Sequence, residues 1–332
     1  MYKILLTAIG CPNGITAIKH LQRYGVCVVG ADAHPTPVAA SLVETFYQIP
    51  LARSESFLEA ITKLIRLEKP DVLVSQSEEE VEVLSQHADD LDTCVMVSSP
   101  DAVRTVMDKW ATYEKAKKLG IPVPRSNLCV DSNALLRTVT EYVKELGSAV
   151  VRPARGKGSR GLRVVVPVVD RMSHDWRRWP GVVLTSLAEI ESSDLDAITY
   201  PMIVSEREYG EVAYEGYCAN GKMLTGFLKH KSREVHNGHH TYNRSVDILD
   251  LAPYACEMVK DFGGHSFVDV QFVGGKLMEI NPRLSTLIYT PEYNMIHFGI
   301  LHALGMMTDA EIAEKRLPLG KTAEFHWDVH YA

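Results

Sequence analysis

The sequence predicts an α/β protein that opens with a doubly wound parallel sheet and continues as an α+β region built from antiparallel hairpins. Over residues 1–105, short apolar strands alternate with helical segments, which is typical of parallel β-α-β units. Further along, Asn220-Gly221 separates two strand-like runs and predicts a tight hairpin. Apolar and polar residues also alternate on both sides of Gly274-Gly275, which predicts a second hairpin.

The composition fits a folded cytoplasmic protein and argues against several classes. A chain of 332 residues exceeds what one compact core needs, so we expect two or three domains. Because 42 acidic residues outweigh 35 basic ones, giving a net charge of −7, we do not expect a general nucleic-acid-binding protein. No apolar run approaches the roughly 18 residues of a membrane span, and no secretion signal opens the sequence. The six cysteines form no Cys-x-x-Cys pair, so we expect neither a disulfide framework nor a zinc knuckle.

The N-terminal region begins with a β-α-β unit. We predict strands over residues 3–8, 26–31, 71–75 and 94–98, and helices over residues 15–24, 56–67 and 78–87. The turn after the first strand is similar to a dinucleotide-binding turn, and Asp32 stands near the position of a ribose-binding acid. However, Gly10 and Gly14 do not form the Gly-x-Gly-x-x-Gly spacing, and Pro12 removes one N–H from a phosphate cradle. An NAD(P)-binding oxidoreductase is therefore kept only as an alternative.

A charged helix marks a change near residue 106, where we place a domain boundary. Asp108 and Lys109 begin this helix, which should stop at Gly120 before an extended, proline-containing linker. Strands are predicted next over residues 126–130, 148–152, 162–166, 201–205, 212–219 and 223–229, and helices over residues 132–146, 250–262, 293–304 and 308–315. Either Asp131 or Ser132 should cap the helix over residues 132–146. The segment 168–200 is left largely unassigned, and a strand-like tail covers residues 322–330.

The loop from Pro153 to Gly161 contains three glycines and three cations in nine residues. It lies between two predicted strands, so it should be a flexible loop rich in backbone N–H groups and positive charge. Such a loop can close over phosphates. The alternative is a basic hairpin tip that contributes only to solubility.

The hairpin around Gly274-Gly275 carries oxygen ligands together with a cation. With an odd-length loop or a bulge, its polar side chains share one face; with a strict two-residue turn they divide between both faces. These side chains are Asp269, Gln271, Glu279 and Asn281. A shared face could bind Mg²⁺, which takes few protein ligands and prefers carboxylate and carbonyl oxygens. Arg283 would then place a guanidinium where phosphate oxygens lie. The alternative is an edge hairpin whose charges are merely solvated.

Taken in order, these features resemble the ATP-grasp superfamily, and within it the branch of the carbamoyl-phosphate synthase large subunit and related carboxylate-amine ligases. The most specific match is Met-Glu-Ile-Asn-Pro-Arg-Leu-Ser over residues 278–285, preceded by Val-Gln-Phe over residues 270–272. The resemblance covers essentially the whole chain. It implies a Rossmann-like domain over 1–106 and a two-lobed ATP-grasp domain over 107–332. Within the latter, a lid subdomain would cover about 122–204 and a C-terminal lobe about 205–332.

The resemblance also implies roles for individual residues. Mg²⁺ would be bound by Glu279, Asn281 and either Gln271 or Asp269. Arg283 and Arg152 would contact the phosphates of ATP as catalytic residues. ATP would further be bound by Lys109, by the adenine-side residue Glu206, by the ribose-binding acid Glu211 or in its place Glu208, and by the loop residues Gly156, Lys157, Gly158, Ser159 and Gly161.

The implied reaction is the ATP-dependent activation of a small carboxylate as an acyl phosphate, which then joins to an amine or ammonia. Thr286 stands where the synthases have a second arginine, so carbamoyl phosphate itself is disfavoured as the product. Tyr289, Glu292 and Tyr293 are candidate substrate contacts, and a homodimer is compatible with the resemblance. A nucleotide-binding module without catalytic activity is the second alternative.

Overall fold

A computed structural model of the protein describes residues 1–11, 13–156, 161–169, 183–231, 235–236, 239–240, 242–248, 250–285 and 288–324. Its strands are β1 Lys3–Thr7, β2 Cys27–Asp32, β3 Thr45–Gln48, β4 Val72–Ser75, β5 Cys94–Val95, β6 Ser126–Cys129, β7 Ala149–Pro153, β8 Arg163–Val166, β9 Val183–Ser186, β10 Met202–Ser205, β11 Glu211–Ala219, β12 Lys222–Lys231, β13 Val235–His236, β14 His239–His240, β15 Tyr242–Val246, β16 His265–Val273, β17 Lys276–Asn281 and β18 Thr322–Glu324. Its helices are α1 Gly14–Gln22, α2 Phe57–Glu68, α3 Glu78–His87, α4 Pro100–Met107, α5 Lys109–Lys118, α6 Ser132–Leu146, α7 Leu187–Glu191, α8 Ala252–Met258, α9 Met295–Ala303 and α10 Asp309–Ala313. Among these helices, none combines the length and apolar character that crossing a membrane requires.

The N-terminal sheet contains β1 to β5 and is parallel throughout, in the order β3-β2-β1-β4-β5. Leu5, Val29 and Leu73 pack on the side of α2 and α3, whereas Ile4 and Leu6 pack on the side of α1. The strand order reverses at β1, and the loops that follow β1 and β4 meet at one edge of the sheet. In doubly wound folds such an edge is where ligands bind.

The middle sheet contains β6 to β10 in the order β6-β10-β7-β8-β9, and only the β8–β9 pair is parallel. Helix α6 covers one of its faces, with Val139 packed against Val151 and Val204. Asp131 starts this helix by accepting a hydrogen bond from the backbone N–H of Ala134 at 2.7 Å. The predicted cap and helix are therefore confirmed.

The C-terminal sheet is antiparallel, in the order β17-β16-β11-β12-β15-β18. One face is apolar: Val212, Val270 and Ile280 pack against α4 and α8. The strands on both sides of Asn220-Gly221 and of Gly274-Gly275 pair as hairpins, as the sequence predicted.

The opposite face of this sheet is apolar at one end and polar at the other. At the apolar end, Tyr217, Phe227 and Phe267 join residues of the N-terminal sheet in one core. The other end, here called the polar face, contains Glu211, Glu215, Lys229, Lys231, Asp269, Gln271, Glu279 and Asn281, which the strand register places on the same side. The charged side chains of this sheet are thus concentrated on the polar face, which makes it the candidate functional site.

Candidate active site

A bulge places the four polar side chains of the β16–β17 hairpin on one face. The turn at Gly274-Gly275 has two residues, with φ of 60° and 78°. The pairing then shifts by one residue at Met278, which is left between two ladder pairs. Beyond the bulge, Asp269 pairs with Asn281 and Gln271 pairs with Glu279. The shared face that the sequence predicted, on condition of an odd loop or a bulge, is thus present.

Asp269 is the buried centre of this face. Its Oδ2 accepts hydrogen bonds from Gln271 Nε2 at 2.7 Å, Ser285 Oγ at 3.1 Å and Asn281 Nδ2 at 3.2 Å. Burial acts to raise the pKa of Asp269, but nearby ammonium groups, chiefly that of Lys231, outweigh burial and hold this pKa below its usual value. Because Gln271 and Asn281 turn their amide nitrogens toward Asp269, their amide oxygens point away from it.

Helix α5 begins with Asp108 and brings Lys109 to the same place. The Asp108 carboxylate accepts hydrogen bonds from the backbone N–H groups of Trp110 at 2.9 Å and Ala111 at 3.0 Å, so it caps the helix. Lys109 is therefore the first helical residue. Its Nζ donates to the Gly156 carbonyl at 2.6 Å and lies 3.7 Å from Glu279 Oε2.

Arg152 reaches the same carboxylate from the end of β7. Its side chain is 6% exposed, and Nη1 lies 3.8 Å from Glu279 Oε2. Its Nη2 donates to the Met278 carbonyl at 3.1 Å and to the Tyr113 hydroxyl. Its Nε is buried and has no hydrogen-bond partner among the described residues. A buried guanidinium with an unused donor fits an anionic ligand.

Arg283 is held by the first residue of helix α3. Its Nε and Nη2 donate to a single oxygen of Glu78, Oε1, at 3.0 and 2.6 Å, and its Nη1 donates to the Leu284 carbonyl at 3.0 Å. Burial acts to lower the pKa of Arg283, whereas the Glu78 carboxylate raises it, and the net result is a raised pKa. The predicted phosphate-contacting arginine is thus at the polar face but paired with a carboxylate that the sequence analysis did not single out.

The two glutamates after β10, Glu206 and Glu208, share a contact with Lys276, and Glu206 also bonds to Arg125. Glu206 donates its backbone N–H to the Arg125 carbonyl at 3.0 Å and accepts from the Arg125 N–H at 2.8 Å through its carboxylate. Lys276 Nζ lies 2.5 Å from both Glu206 Oε1 and Glu208 Oε1. The Glu206 N–H is therefore engaged within the protein, which leaves its carbonyl and the following residues for the adenine edge that the resemblance implied.

Two lysine–glutamate pairs occupy the far side of the polar face. Lys229 Nζ lies 2.6 Å from Glu215 Oε1 with both side chains essentially buried, and Lys231 Nζ lies 2.9 Å from Glu211 Oε1. Glu215, Lys229 and Lys231 were not among the site residues predicted from the sequence. Their signal was the alternation of charged residues along β11 and β12, which places every second residue on one face. Glu211, the predicted ribose-binding acid, belongs to this face. Glu208, its alternative, lies instead beside the tip of the β16–β17 hairpin, next to Gly274 and Lys276.

The glycine-rich loop is described only at its two ends. Gly156 contacts Lys109 as above, and Gly161 has a φ of 79° with Pro153 so close that a Cβ would lie 3.0 Å from it. The predicted ATP-binding residues Lys157, Gly158 and Ser159 lie outside the described residues. The same holds for Thr286.

The oxygen ligands on the hairpin fit a hard divalent cation. Glu279, with a carboxylate, and Gln271 and Asn281, with amide oxygens, lie on the same face of the hairpin as the buried Asp269. The Oδ1 of Asp269 has no hydrogen-bond partner within the described ranges. Mg²⁺ accepts such a small oxygen set and completes its octahedron with water and phosphate. In the described residues there is no cluster of three or more His, Cys, Asp or Glu side chains that could hold a metal ion.

Comparison with known sequences gives a partial match. No protein-family model matches this sequence. The chain is 26% identical, over 162 residues, to a formate-dependent phosphoribosylglycinamide formyltransferase from Shewanella frigidimarina. The match covers 47% of this chain and spans only 38% of the length of that protein.

Comparison with solved structures covers nearly the whole chain. The N5-carboxyaminoimidazole synthase of Aspergillus clavatus, in complex with ADP and 5-aminoimidazole ribonucleotide, superposes with a TM-score of 0.66 at 16% identity, covering 95% of this chain and 80% of that one. The biotin carboxylase domain of the Hydrogenobacter thermophilus 2-oxoglutarate carboxylase, a dimer crystallised with MgADP and bicarbonate, gives 0.62 at 13% identity, covering 97% and 72%.

These similarities define the class of fold. The parallel N-terminal sheet, the middle sheet and the antiparallel C-terminal sheet together form an ATP-grasp fold. The fold predicted from the sequence is thereby confirmed.

Proposed function

We propose that the protein is an ATP- and Mg²⁺-dependent ligase that activates a small carboxylate as an acyl phosphate and joins it to an amine or ammonia. The observation that carries this proposal is the meeting of Lys109, Arg152 and Glu279 at one point, beside the amide side chains of Gln271 and Asn281. The ATP-grasp fold and the nucleotide-bound structures that share it support the same conclusion.

The physical problem in this reaction is charge repulsion. A carboxylate must attack the γ-phosphate of ATP, and both groups are anionic. Lys109, Arg152 and Arg283 would bind the phosphate oxygens and offset their charge without any rearrangement during the reaction. A Mg²⁺ ion held by the hairpin would supply further neutralisation of the phosphates.

We assign the metal ligands to Glu279, Asn281 and Gln271, and give Asp269 a positioning role. Three donors already converge on Asp269 Oδ2, including both amide nitrogens. This fixes the orientation of the two amides, in the way that an outer partner orients metal ligands generally. The side chain of Glu279 is 28% exposed, whereas Asn281 is 8% exposed.

The remaining assignments concern the lid, the domains and the assembly. We propose that the loop from Gly156 to Gly161, including Lys157, Gly158 and Ser159, covers the phosphates, and that Glu206 and Glu211 lie at the adenine and ribose. The division at residue 106 and the lid over about 122–204 belong to the same proposal. A homodimer, cytoplasmic location and Tyr289, Glu292 and Tyr293 as substrate contacts also remain predictions.

The test is a screen for ADP release in the presence of Mg²⁺. Formate, bicarbonate and amino acids serve as acids, and ammonium and amino acids serve as amines. We expect one pair to stimulate ADP release and Glu279→Gln to reduce that rate by about 100-fold. Glu114→Gln, which removes an exposed carboxylate paired with Lys117 at 2.8 Å, is the matched control and should leave the rate unchanged.

Other outcomes separate the alternatives. Tight binding of Mg²⁺-ATP with no ADP release for any pair would favour a nucleotide-binding module without catalysis. Tight NADH binding with no effect of Mg²⁺-ATP would favour the oxidoreductase. Full activity of Glu279→Gln would contradict the assigned metal site.

A further inference from the structure

We propose that Tyr113 is a positioning residue for the reaction. Its buried hydroxyl holds the Arg152 guanidinium away from Glu279, which leaves the carboxylate available to Mg²⁺ and the guanidinium available to a phosphate. The proposal rests on the ligase function proposed above and adds a residue to its mechanism. Tyr113 acts through Arg152 and not by contacting the substrates.

Glu279 lies between two cations, and neither of them forms a hydrogen bond with it. Lys109 Nζ is 3.7 Å and Arg152 Nη1 is 3.8 Å from Glu279 Oε2, beyond hydrogen-bond reach. Each cation is bonded to other acceptors instead. Lys109 donates to the Gly156 carbonyl at 2.6 Å, and Arg152 donates to the Tyr113 hydroxyl and to a carbonyl of β17. Without these acceptors both cations should close on the carboxylate, because opposite charges attract strongly at partly buried sites.

The Tyr113 hydroxyl contacts both Arg152 and the bulge of β17. The side chain is fully buried, at 0% exposure, and the guanidinium carbon of Arg152 lies 5.6 Å from the centre of its ring. The hydroxyl oxygen accepts from Arg152 Nη2, and the hydroxyl donates to Met278 Sδ at 3.9 Å. Burial raises the pKa of Tyr113, so the hydroxyl keeps its proton and can accept and donate at once. Because Met278 is the bulged residue, this hydroxyl links the guanidinium to the irregularity that places Glu279.

Helix α5 controls both cations that flank Glu279. Lys109 and Tyr113 are four residues apart on this helix, so their side chains leave it on the same face. The Asp108 cap fixes where the helix begins. One cation is therefore carried by α5, and the other, Arg152, is held by a hydrogen bond to it.

The contacts of Arg152 leave three N–H groups for a ligand. A guanidinium has five, one on Nε and two on each Nη. Both N–H groups of Nη2 are used, one by the Tyr113 hydroxyl and one by the Met278 carbonyl at 3.1 Å. Nε is buried without a partner in the described part of the chain, and Nη1 lies beside Glu279 without bonding to it. These are the donors that a phosphate can take.

Removing the hydroxyl should change the acceptor that Arg152 uses. In Tyr113→Phe, one buried N–H of Nη2 loses its partner, which costs free energy, and the neighbouring anionic acceptor is Glu279. The guanidinium should therefore turn and bond to the carboxylate. Arg152 would then compete with Mg²⁺ for Glu279, and fewer of its N–H groups would remain for phosphate.

The first test measures by calorimetry how the full-length protein binds a non-hydrolysable ATP analogue as the Mg²⁺ concentration is varied. We expect Tyr113→Phe to need about tenfold more Mg²⁺ than the wild type for half-maximal binding, as is typical when a partner behind metal ligands is lost. The matched control is Tyr142→Phe. Tyr142 is also buried, its hydroxyl donates to Asn127 Oδ1 at 2.8 Å, and the Arg125 guanidinium carbon lies 4.8 Å from its ring. The control should shift the Mg²⁺ midpoint by less than about twofold.

The second test shows whether Tyr113 acts through Arg152. Arg152→Met keeps an unbranched side chain and removes every donor. Adding Tyr113→Phe to Arg152→Met should therefore change the Mg²⁺ midpoint by less than about twofold. A hydroxyl that only stabilised the fold would have the same effect in both backgrounds.

The third test compares crystal structures of the wild type and Tyr113→Phe without nucleotide. We expect an Arg152 nitrogen within about 3.2 Å of a Glu279 oxygen in the variant but not in the wild type. This measurement does not depend on activity or on the identity of the substrates.

The outcomes distinguish the two proposals. If the analogue does not bind the wild type at any Mg²⁺ concentration, the ligase function fails, and the role given to Tyr113 fails with it. If the analogue binds but Tyr113→Phe has the midpoint of the wild type, or if its effect persists in Arg152→Met, only the positioning role is wrong. An Arg152–Glu279 distance that does not shorten in the variant also overturns that role.

Discussion

The buried carboxylates of the polar face differ from one another at the residue scale. Lysines near Asp269 overcome its burial and lower its pKa, so it should stay ionised and able to orient Gln271 and Asn281. For Glu215, burial dominates and the charge of Asp269 adds to it, so that its pKa rises to about 7 despite the Lys229 ammonium. The pKa values of these two acids on neighbouring strands thus shift in opposite directions. The ammonium groups of Lys229 and Lys231 outweigh burial at Asp269 but not at Glu215.

The raised pKa of Glu215 predicts a pH-dependent contribution to stability. Because the folded protein binds this proton more tightly than the unfolded chain does, Glu215 favours folding at low pH, and that contribution is lost as pH rises from about 4.5 to about 7. The unfolding free energy of the wild type relative to Glu215→Gln should therefore fall by roughly 3 kcal/mol between pH 5 and pH 8. Urea denaturation at several pH values measures this. A difference that is flat, or that grows with pH, would show that the Lys229 pair dominates instead.

At the scale of elements, the N-terminus of α5 joins a local signal to the site. Asp108 both caps the helix and sets the direction in which Lys109 leaves it. Replacing the cap should therefore affect stability and nucleotide binding together, whereas a cap elsewhere should affect stability alone.

We predict that Asp108→Ala destabilises the protein by about 1 kcal/mol and also weakens binding of the ATP analogue by several-fold. Asp131→Ala removes the equivalent cap of α6 and should cost similar stability without changing nucleotide affinity. Denaturant titration and calorimetry on the same preparations give both quantities. Equal nucleotide affinities for the two variants would remove Lys109 from the proposed ATP site.

Helices, turns and strands with a local sequence pattern could be predicted from the sequence alone. The Asp131 cap, the Asn220-Gly221 turn and the alternation along β16 are local patterns, and the structure confirms each of them. Helix α8 is shorter than predicted, and β5 has two residues where five were expected, because apolar periodicity continues into segments that pack without regular hydrogen bonding.

The long-range contacts could not be predicted in the same way. Arg283 and Glu78 are 205 residues apart, and nothing near either of them indicates the other. The Lys229–Glu215 pair likewise depends on the register of two strands rather than on any motif. The sequence predicted the ligand types of the site, but the partners that orient and charge those ligands depend on how the three sheets come together.

At the scale of the whole molecule, Lys276 links the middle sheet to the C-terminal sheet. It extends from the start of β17 to Glu206 and Glu208, which follow β10. Without it, two carboxylates would face each other at the junction of the two sheets with no cation between them, and the segment that we place at the adenine would lose its support.

Lys276→Met should accordingly weaken binding of the ATP analogue by about tenfold. Lys222→Met breaks an exposed pair with Asp309 on the same sheet and should leave binding unchanged. Calorimetry with Mg²⁺ present is the measurement. Indistinguishable affinities for these two variants would place the nucleotide away from the junction.

The glycine turn of the β16–β17 hairpin has a consequence for protein engineering. A Cβ on Gly274 would come within 2.5 Å of a Glu208 carboxylate oxygen, so the tip is pressed against the segment joining the two sheets. A peptide tag or reporter inserted at this tip would push the middle and C-terminal sheets apart. One inserted at the tip of the Asn220-Gly221 hairpin would not disturb that junction. The choice of insertion site therefore decides whether a sensor built on this protein disturbs the nucleotide binding that it is meant to report.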